Sequence, residues 1–347
     1  MLDLSTLTIT PHLLKLIAEI DEFKGAWRLL QNQDPERLES LRHVATIESI
    51  GSSTRIEGSK LSDKDIEILL GNVGKQSFAT RDQQEVAGYA EAMDMVIANY
   101  NDIPLTENYI KQLHSALLRH SNKDERHRGE YKKHTNHVEA FDAGGKSMGV
   151  IFETTSPFDT PGQMQDLVRW TQTNLEDKSQ HPLVAIGIFN VVFLAIHPFQ
   201  DGNGRLSRVL TTLLLLKSGY RYIPYSSLES IIERNKDAYY LALQRTQKTL
   251  KGHPDWLPWL IFFVDALKRQ KDHLDEKLAQ ENPYANLLRE NEQIMHYVDQ
   301  HQRITTKEAE QVTGALRPTV KNRLSSLVSS GFLKRHGKGR GSWYGKA

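Results

Sequence analysis

Within twelve consecutive positions, His197 to Arg208, the chain reads HPFQDGNGRLSR. The residue types and their order suit phosphate chemistry. Gly202 and Gly204 leave a bare backbone that can reach positive φ and approach an anion, and Asn203 between them adds a side-chain donor. A helix that begins here exposes unpaired N–H groups and the positive end of its dipole, so the segment reads as an anion cradle. Arg205 and Arg208 lie three apart, project from neighbouring positions on one helix face and can grip successive phosphates. Asp201, just before the cradle, stands where a hard cation such as Mg2+ bridging phosphate oxygens needs a carboxylate. His197 supplies a base whose ordinary pKa of about 6.5 suits activation of a hydroxyl. Together these residues describe a phosphoryl- or nucleotidyl-transfer site. Singly they say less: Asp-Gly-Asn-Gly alone is a turn, and His197 with Asp201 alone is a simple metal pair or a structural contact.

Such a loop needs a rigid mount. From about Pro182 to Leu216 the chain is almost wholly apolar apart from the motif, which predicts two central helices of an α-helical core with the motif as the loop between them. Helix-period patterns also run through PHLLKLIAEIDEFKGAWRLL, SDKDIEILL and YAEAMDMVIANY, each bounded by Ser, Asp, Gly or Pro. Strand-like alternation is scarce before residue 300. The exception is NHVEAFDAGGKSMGVIFET, where two short apolar runs flank DAGGK and predict a β-hairpin, a flap over about 134–157 inserted between helices.

The 347 residues allow two or three domains, and an apolar fraction of 39% with 25% charged residues is ordinary for globular protein. There is no cysteine, which excludes disulfides and thiolate metal sites and agrees with a reducing compartment. The N-terminus MLDLSTLTIT lacks the basic and apolar regions of a secretory signal. The longest apolar stretch, LVAIGIFNVVFLAI, falls short of the roughly 20 residues that span a bilayer. The expectation is a cytoplasmic protein without membrane contact.

Net charge is only +1, yet it is segregated: residues 284–347 hold eleven basic and five acidic residues. A charged helix, KDHLDEKLAQEN, runs to Pro283, where a separate module is expected to begin. NEQIMHYVDQHQ, TTKEAEQVTG and RPTVKNRLSSLVSSG, followed by the basic, glycine-rich FLKRHGKGRGSWYG, resemble a winged helix-turn-helix with the third helix as reader. Its charge is the footprint expected for a phosphate backbone, so DNA stands as a candidate partner beside a purely protein-binding use of the same fold.

The motif matches that of the Fic-domain proteins, His-x-Phe-x-Asp/Glu-Gly-Asn-Gly-Arg-x-x-Arg, at every specified position. RGEYKKHTNHV with the hairpin occupies the place of that family's flap, and IIERNKDAYYLALQ with WLPWLIFFVDAL is similar to its downstream helices, so the resemblance covers roughly 45–270. It implies a mainly α fold, a Fic-type helical bundle with a β-hairpin flap, to which the winged helix-turn-helix is appended. The implied division is an N-terminal helical segment over 1–100, a catalytic core over 101–282 and the appended module over 283–347. The implied activity is transfer of AMP from ATP to a Tyr, Ser or Thr hydroxyl of a target protein, or of the chain itself, with Mg2+. His197 would deprotonate the hydroxyl, Phe199 anchor the loop and Asp201 hold Mg2+. Gly202, Asn203 and Gly204 would stabilise charge at the α-phosphate, Arg205 would contact the β-phosphate and Arg208 the γ-phosphate. Tyr239 and Tyr240 are candidates for the adenine pocket by position, or core packing on a helix. An extended target segment would dock on the flap edge as an added strand.

Upstream, Ser53-x-x-x-Glu57-Gly58 resembles the inhibitory helix motif of Fic proteins that restrain themselves. A Glu57 carboxylate in a bidentate pair with Arg208 would take the place of a γ-phosphate. Some relatives with this arrangement also remove AMP, so deAMPylation stays open, as does a homodimer. Two other readings remain: a DNA-binding regulator with a nucleotide-sensing Fic core, and transfer of UMP or phosphocholine on the same scaffold.

Overall fold

The computed structural model describes residues 2–30, 35–71, 78–141, 147–281, 289–337 and 342–347. The DAGGK turn expected at 142–146, the boundary expected at Pro283, and Lys338 and Arg340 of the basic tail lie outside the described residues. The chain divides into two compact units, Met1–Asp272 and His273–Ala347.

In the first unit the elements are α1 (Pro11–Leu30), α2 (Pro35–Ile56), α3 (Asp63–Gly71), α4 (Arg81–Asn99), α5 (Glu107–Leu117), β1 (His137–Phe141), β2 (Ser147–Glu153), α6 (Thr160–Asp177), α7 (Pro182–Ile196) and α8 (Asn203–Lys217). A 3-10 turn, Ile223–Tyr225, leads to α9 (Leu228–Arg234), α10 (Lys236–Gln247) and α11 (Leu257–Glu281), in which the break between the units falls. The helical patterns read from the sequence correspond to α1, α3 and α4. The predicted central pair is α7 and α8. Every residue of α7 from Leu183 to Ile196 is buried, because the helix is apolar on all sides and is wrapped by α6, α8 and α10. Its one polar member, Asn190, donates to Thr211 Oγ1 at 2.8 Å and so ties α7 to α8. Small residues set the close approaches: a Cβ on Gly88 of α4 would strike the Leu117 carbonyl of α5, and one on Gly187 of α7 would meet Leu260 of α11.

The flap is a two-stranded antiparallel hairpin, β1 with β2, pairing His137 with Glu153 and Phe141 with Ser147. The register shifts between them, a local irregularity that twists a ribbon.

The second unit adds α12 (Arg289–His301), β3 (Arg303–Thr305), α13 (Thr306–Thr313), α14 (Arg317–Ser329), β4 (Leu333–His336) and β5 (Trp343–Lys346), with an antiparallel sheet in the order β3-β5-β4. Its core joins Ile294, Met295 and Val298 to Ile304, Ala309, Val320, Leu324, Leu327 and Leu333. Thr305 starts α13 with a capping box to Glu308, and Gly314 stops it in the left-handed conformation. Among the described residues no helix is long and apolar enough to cross a membrane.

Candidate active site

Helix α7 ends because His197 adopts the left-handed conformation, φ 52°, and Gly202, φ 80°, opens α8. The first intrahelical bond of α8 runs from Leu206 N–H to the Gly202 carbonyl. The N–H groups of Asn203, Gly204 and Arg205 therefore have no acceptor within the helix and point out of its N-terminus. Between these ends the loop is pinned inward. Phe199 is fully buried and stacks on His114 of α5 with ring centroids 3.8 Å apart. Its loss to alanine carries a cavity penalty of about 3–5 kcal/mol.

Asn203 departs from expectation. Its carboxamide oxygen accepts from Phe199 N–H at 2.9 Å and its nitrogen donates to the Phe199 carbonyl at 2.8 Å. The side chain is taken up in closing the loop, so what Asn203 offers an anion is its backbone N–H.

His197 Nδ1 lies 3.3 Å from the Leu194 carbonyl, an acceptor only, so Nδ1 carries the proton and Nε2 keeps its lone pair. Burial first, then the nearby Lys132 ammonium, lowers the imidazole pKa from 6.5 to about 4; Glu57 and Asp201 oppose this and do not prevail. The ring is therefore neutral at physiological pH, a form able to accept a proton.

Arg205 and Arg208 are both almost fully buried, at 2% and 3% exposure. Arg205 has Nη1 3.2 Å from Glu85 Oε2 of α4 and Nη2 donating to Asp201 Oδ1 at 3.2 Å, while its Nε has no acceptor among the described residues. Asp201 is further held by Arg81, whose Nη2 lies 3.2 Å from Oδ2. Burial alone would raise the Asp201 carboxyl; Arg205, the Gly202 N–H and Arg81 outweigh it and hold it below the ordinary aspartate value.

Arg208 is met from α2. Its Nε donates to Ser53 Oγ at 2.8 Å, and its Nη2 donates both to the Ser53 carbonyl at 3.0 Å and to Glu57 Oε1 at 2.8 Å. The expected pair forms, but with one carboxylate oxygen rather than two, because Ser53 claims the other edge of the guanidinium. Burial opposes ionisation of Glu57, and Arg208 with Arg205 overrides it, holding the carboxyl below its ordinary value. Gly58, φ 103°, follows at once: Gly58 N–H returns to the Arg55 carbonyl and Ser59 N–H to the Thr54 carbonyl, a Schellman stop that ends α2 with Glu57 facing α8. A Cβ on Gly204 would collide with Glu57 Oε1, so the carboxylate lies directly on the cradle.

Tyr239 is buried and packs against Trp259 and Phe262 of α11 at 5.6 and 5.8 Å between centroids. Tyr240 stands edge-on to Tyr239 at 5.1 Å and is partly exposed. Both lie close enough to Glu57 and Arg208 to feel their charges.

Sequence reasoning missed the residues that support this loop from elsewhere: Arg81, Glu85, His114 and Lys132. His114 is buried, accepts from Gly129 N–H at Nδ1 (2.8 Å) and faces the Asp201 carbonyl through Nε2 at 3.0 Å. Its acceptor role at Nδ1 makes Nε2 the donor, fixing one neutral tautomer, and burial lowers its pKa to about 4. No spacing signals these partners, since each comes from a different element. Among the described residues no group of three or more His, Asp or Glu side chains converges as a metal site.

Residues 104–215 match the Fic/DOC family. The protein adenylyltransferase Fic of Aedes aegypti is 26% identical over 235 residues, covering 66% of this chain and 41% of that protein. That of Drosophila melanogaster is 25% identical over 266 residues, covering 70% and 49%. The chain thus spans about half, or less, of the length of these curated relatives. Among solved structures, a Fic family protein from Desulfovibrio desulfuricans is 25% identical with a TM-score of 0.62, covering 98% of this chain and 97% of that one. A Fic domain containing signaling protein from Bacteroides thetaiotaomicron is also 25% identical, with a TM-score of 0.60 over 74% of this chain and 95% of that one.

Proposed function

We propose, on the premise that residues 104–215 form a Fic/DOC-family domain, that the chain is a protein adenylyltransferase which moves AMP from ATP to a protein hydroxyl and restrains itself through Glu57. The observation that carries the reading is the conjunction at one helix N-terminus of three N–H groups without an acceptor in the helix, two buried arginines and a neutral imidazole with its Nε2 lone pair available. In the transfer step a target Tyr, Ser or Thr oxygen attacks the α-phosphorus, His197 Nε2 takes the hydroxyl proton, and the bond to the bridging oxygen breaks so that pyrophosphate leaves. The cradle supplies positive charge where the α-phosphate becomes more negative, and Arg205 and Arg208 take the remaining phosphates.

The donor set fits a hard cation. Asp201 is a single ionised carboxylate whose oxygens are now neutralised by Arg205 and Arg81. Mg2+ takes one or two carboxylates, phosphate oxygens and waters rather than an all-protein cage. When bound, Mg2+ would offset phosphate charge; Asp201 would hold it.

Glu57 supplies the restraint: its contact with Arg208 uses the donor that a γ-phosphate would need. The relatives' shared printed name supports adenylyl transfer over UMP or phosphocholine transfer. The second unit, three helices with a three-stranded sheet, supports a winged helix-turn-helix reading, and Lys321, Lys334 and Arg335 on its exposed surface fit contact with a DNA backbone. The test of the main reading is transfer of label from α-labelled ATP to protein. His197→Ala, with the fold verified by circular dichroism, is expected to abolish it; undiminished labelling by that variant overturns the reading.

A further inference from the structure

The residue next to the flap that the mechanism has not used is Lys132. Although charged, it is 3% exposed. Its Nζ donates to the Ile196 carbonyl at 3.0 Å, to Asn136 Oδ1 at 2.9 Å and to Thr154 Oγ1 at 2.8 Å. Its backbone N–H donates to the Pro198 carbonyl at 2.8 Å. One residue therefore holds the carbonyl before His197 and the carbonyl after it. The next carbonyl, that of Phe199, accepts from Asn136 Nδ2 at 2.8 Å. The stalk of the hairpin is thus bonded along the backbone that carries the imidazole, and Thr154, which follows β2, closes the ring by donating to Asn136.

A left-handed non-glycine residue such as His197 persists only where its surroundings over-determine it. Three carbonyls held from the flap stalk, those of Ile196, Pro198 and Phe199 on either side of His197, do so. The ammonium also caps the C-terminus of α7, where helix carbonyls accumulate negative charge. A buried, triply hydrogen-bonded cation beside an imidazole disfavours a second positive charge there.

We infer that Lys132 is a positioning residue for the transfer step: it fixes the aim of His197 by bracketing its backbone and sets a buried ammonium beside the imidazole. This rests on His197 being the base. The charged groups facing His197 are Lys132 from the stalk, Glu57 from α2 and Asp201 from the loop; Lys132 is the one that opposes protonation. Burial lowers Lys132 itself from 10.5 to about 8, so it stays largely charged at neutral pH.

The experiment reads His197 directly, by NMR titration of its ring proton, assigned as the histidine signal missing from His197→Ala among the 14 histidines. In the wild-type chain the signal is expected to titrate near 4. In Lys132→Met it should move up but stay below 6.5, since burial remains the larger cause of the lowering, and in Lys132→Arg, which restores the charge, it should stay low. In a Glu57→Gly background, Lys132→Met should lower kcat by about tenfold to a hundredfold, as misplacement of a reacting group does, with KM for ATP nearly unchanged. The acidic limb of its pH–rate profile should move up with the NMR value. A wild-type signal at 6.5 or above, an unmoved signal in folded Lys132→Met, or a loss seen in KM rather than kcat overturns the assignment. If His197→Ala is fully active while the titrations shift as expected, the base assignment fails and the electrostatic link between the two residues stands.

Discussion

Replacing Glu57 by glycine removes one carboxylate oxygen that touches Arg208 at 2.8 Å and leaves intact the two Ser53 contacts that aim the guanidinium. A hydrogen bond between charged partners contributes about 1.5–3 kcal/mol. Here the arginine side chain is 3% exposed and the glutamate 32%, so solvent screens one partner and the lower part of that range applies. A γ-phosphate that no longer has to displace the carboxylate gains about 1.5–2 kcal/mol, which corresponds to about a 10- to 30-fold rise in kcat/KM for ATP. The assay is the initial rate of self-labelling from α-labelled ATP across a range of ATP concentrations, with wild type, Glu57→Gly and the His197→Ala/Glu57→Gly double variant side by side. The double variant should remain at background, which separates catalysed transfer from adventitious labelling. Equal kcat/KM in wild type and Glu57→Gly, both folded, refutes the restraint and leaves the pair as a structural contact.

Three further outcomes follow from the same geometry. Ser53→Ala strips the acceptor from a buried Arg208 Nε–H, so unfolding free energy from a urea titration should fall by about 1–3 kcal/mol without the rate gain of Glu57→Gly. The labelling rate of Glu57→Gly should be flat from neutral pH down to about 5.5 and fall only as His197 protonates near 4, since its pKa is depressed and removal of Glu57 depresses it further; a midpoint near 6.5 in the pH profile contradicts this. For the second unit, duplex DNA should retard the full chain in a gel at low salt and release it as salt rises, and Lys321→Ala with Lys334→Ala should weaken retention; no retardation at low salt leaves the unit to protein contacts.

The sequence discloses the site unevenly, and the pattern has a physical cause. The α7–α8 pair is legible because an unbroken apolar run admits only buried helices, and the loop between them because Gly202, Gly204, Arg205 and Arg208 fall at spacings a helix N-terminus can use. Glu57 is legible as the last residue before a glycine stop. What stays hidden are partners that meet only after folding: Arg81 reaches Asp201 across 120 positions, His114 across 87, and Lys132 reaches Ile196 across 64. Helical periodicity tells which side of α4 or α5 is apolar, but not which polar residue at its end will face the loop. Asn203 illustrates the converse: its type suggested a phosphate donor, whereas the tight loop demanded both ends of its carboxamide for Phe199.

Because Ser53 tethers Arg208 by two bonds that are separate from the one to Glu57, the restraint proposed above would be a latch on an already aimed tool. Lifting it would ask for a change of glutamate rotamer at the end of α2 and the loss of one ion pair, with the Ser53 contacts left in place. Whatever draws that carboxylate aside would therefore find the guanidinium already held in place by Ser53.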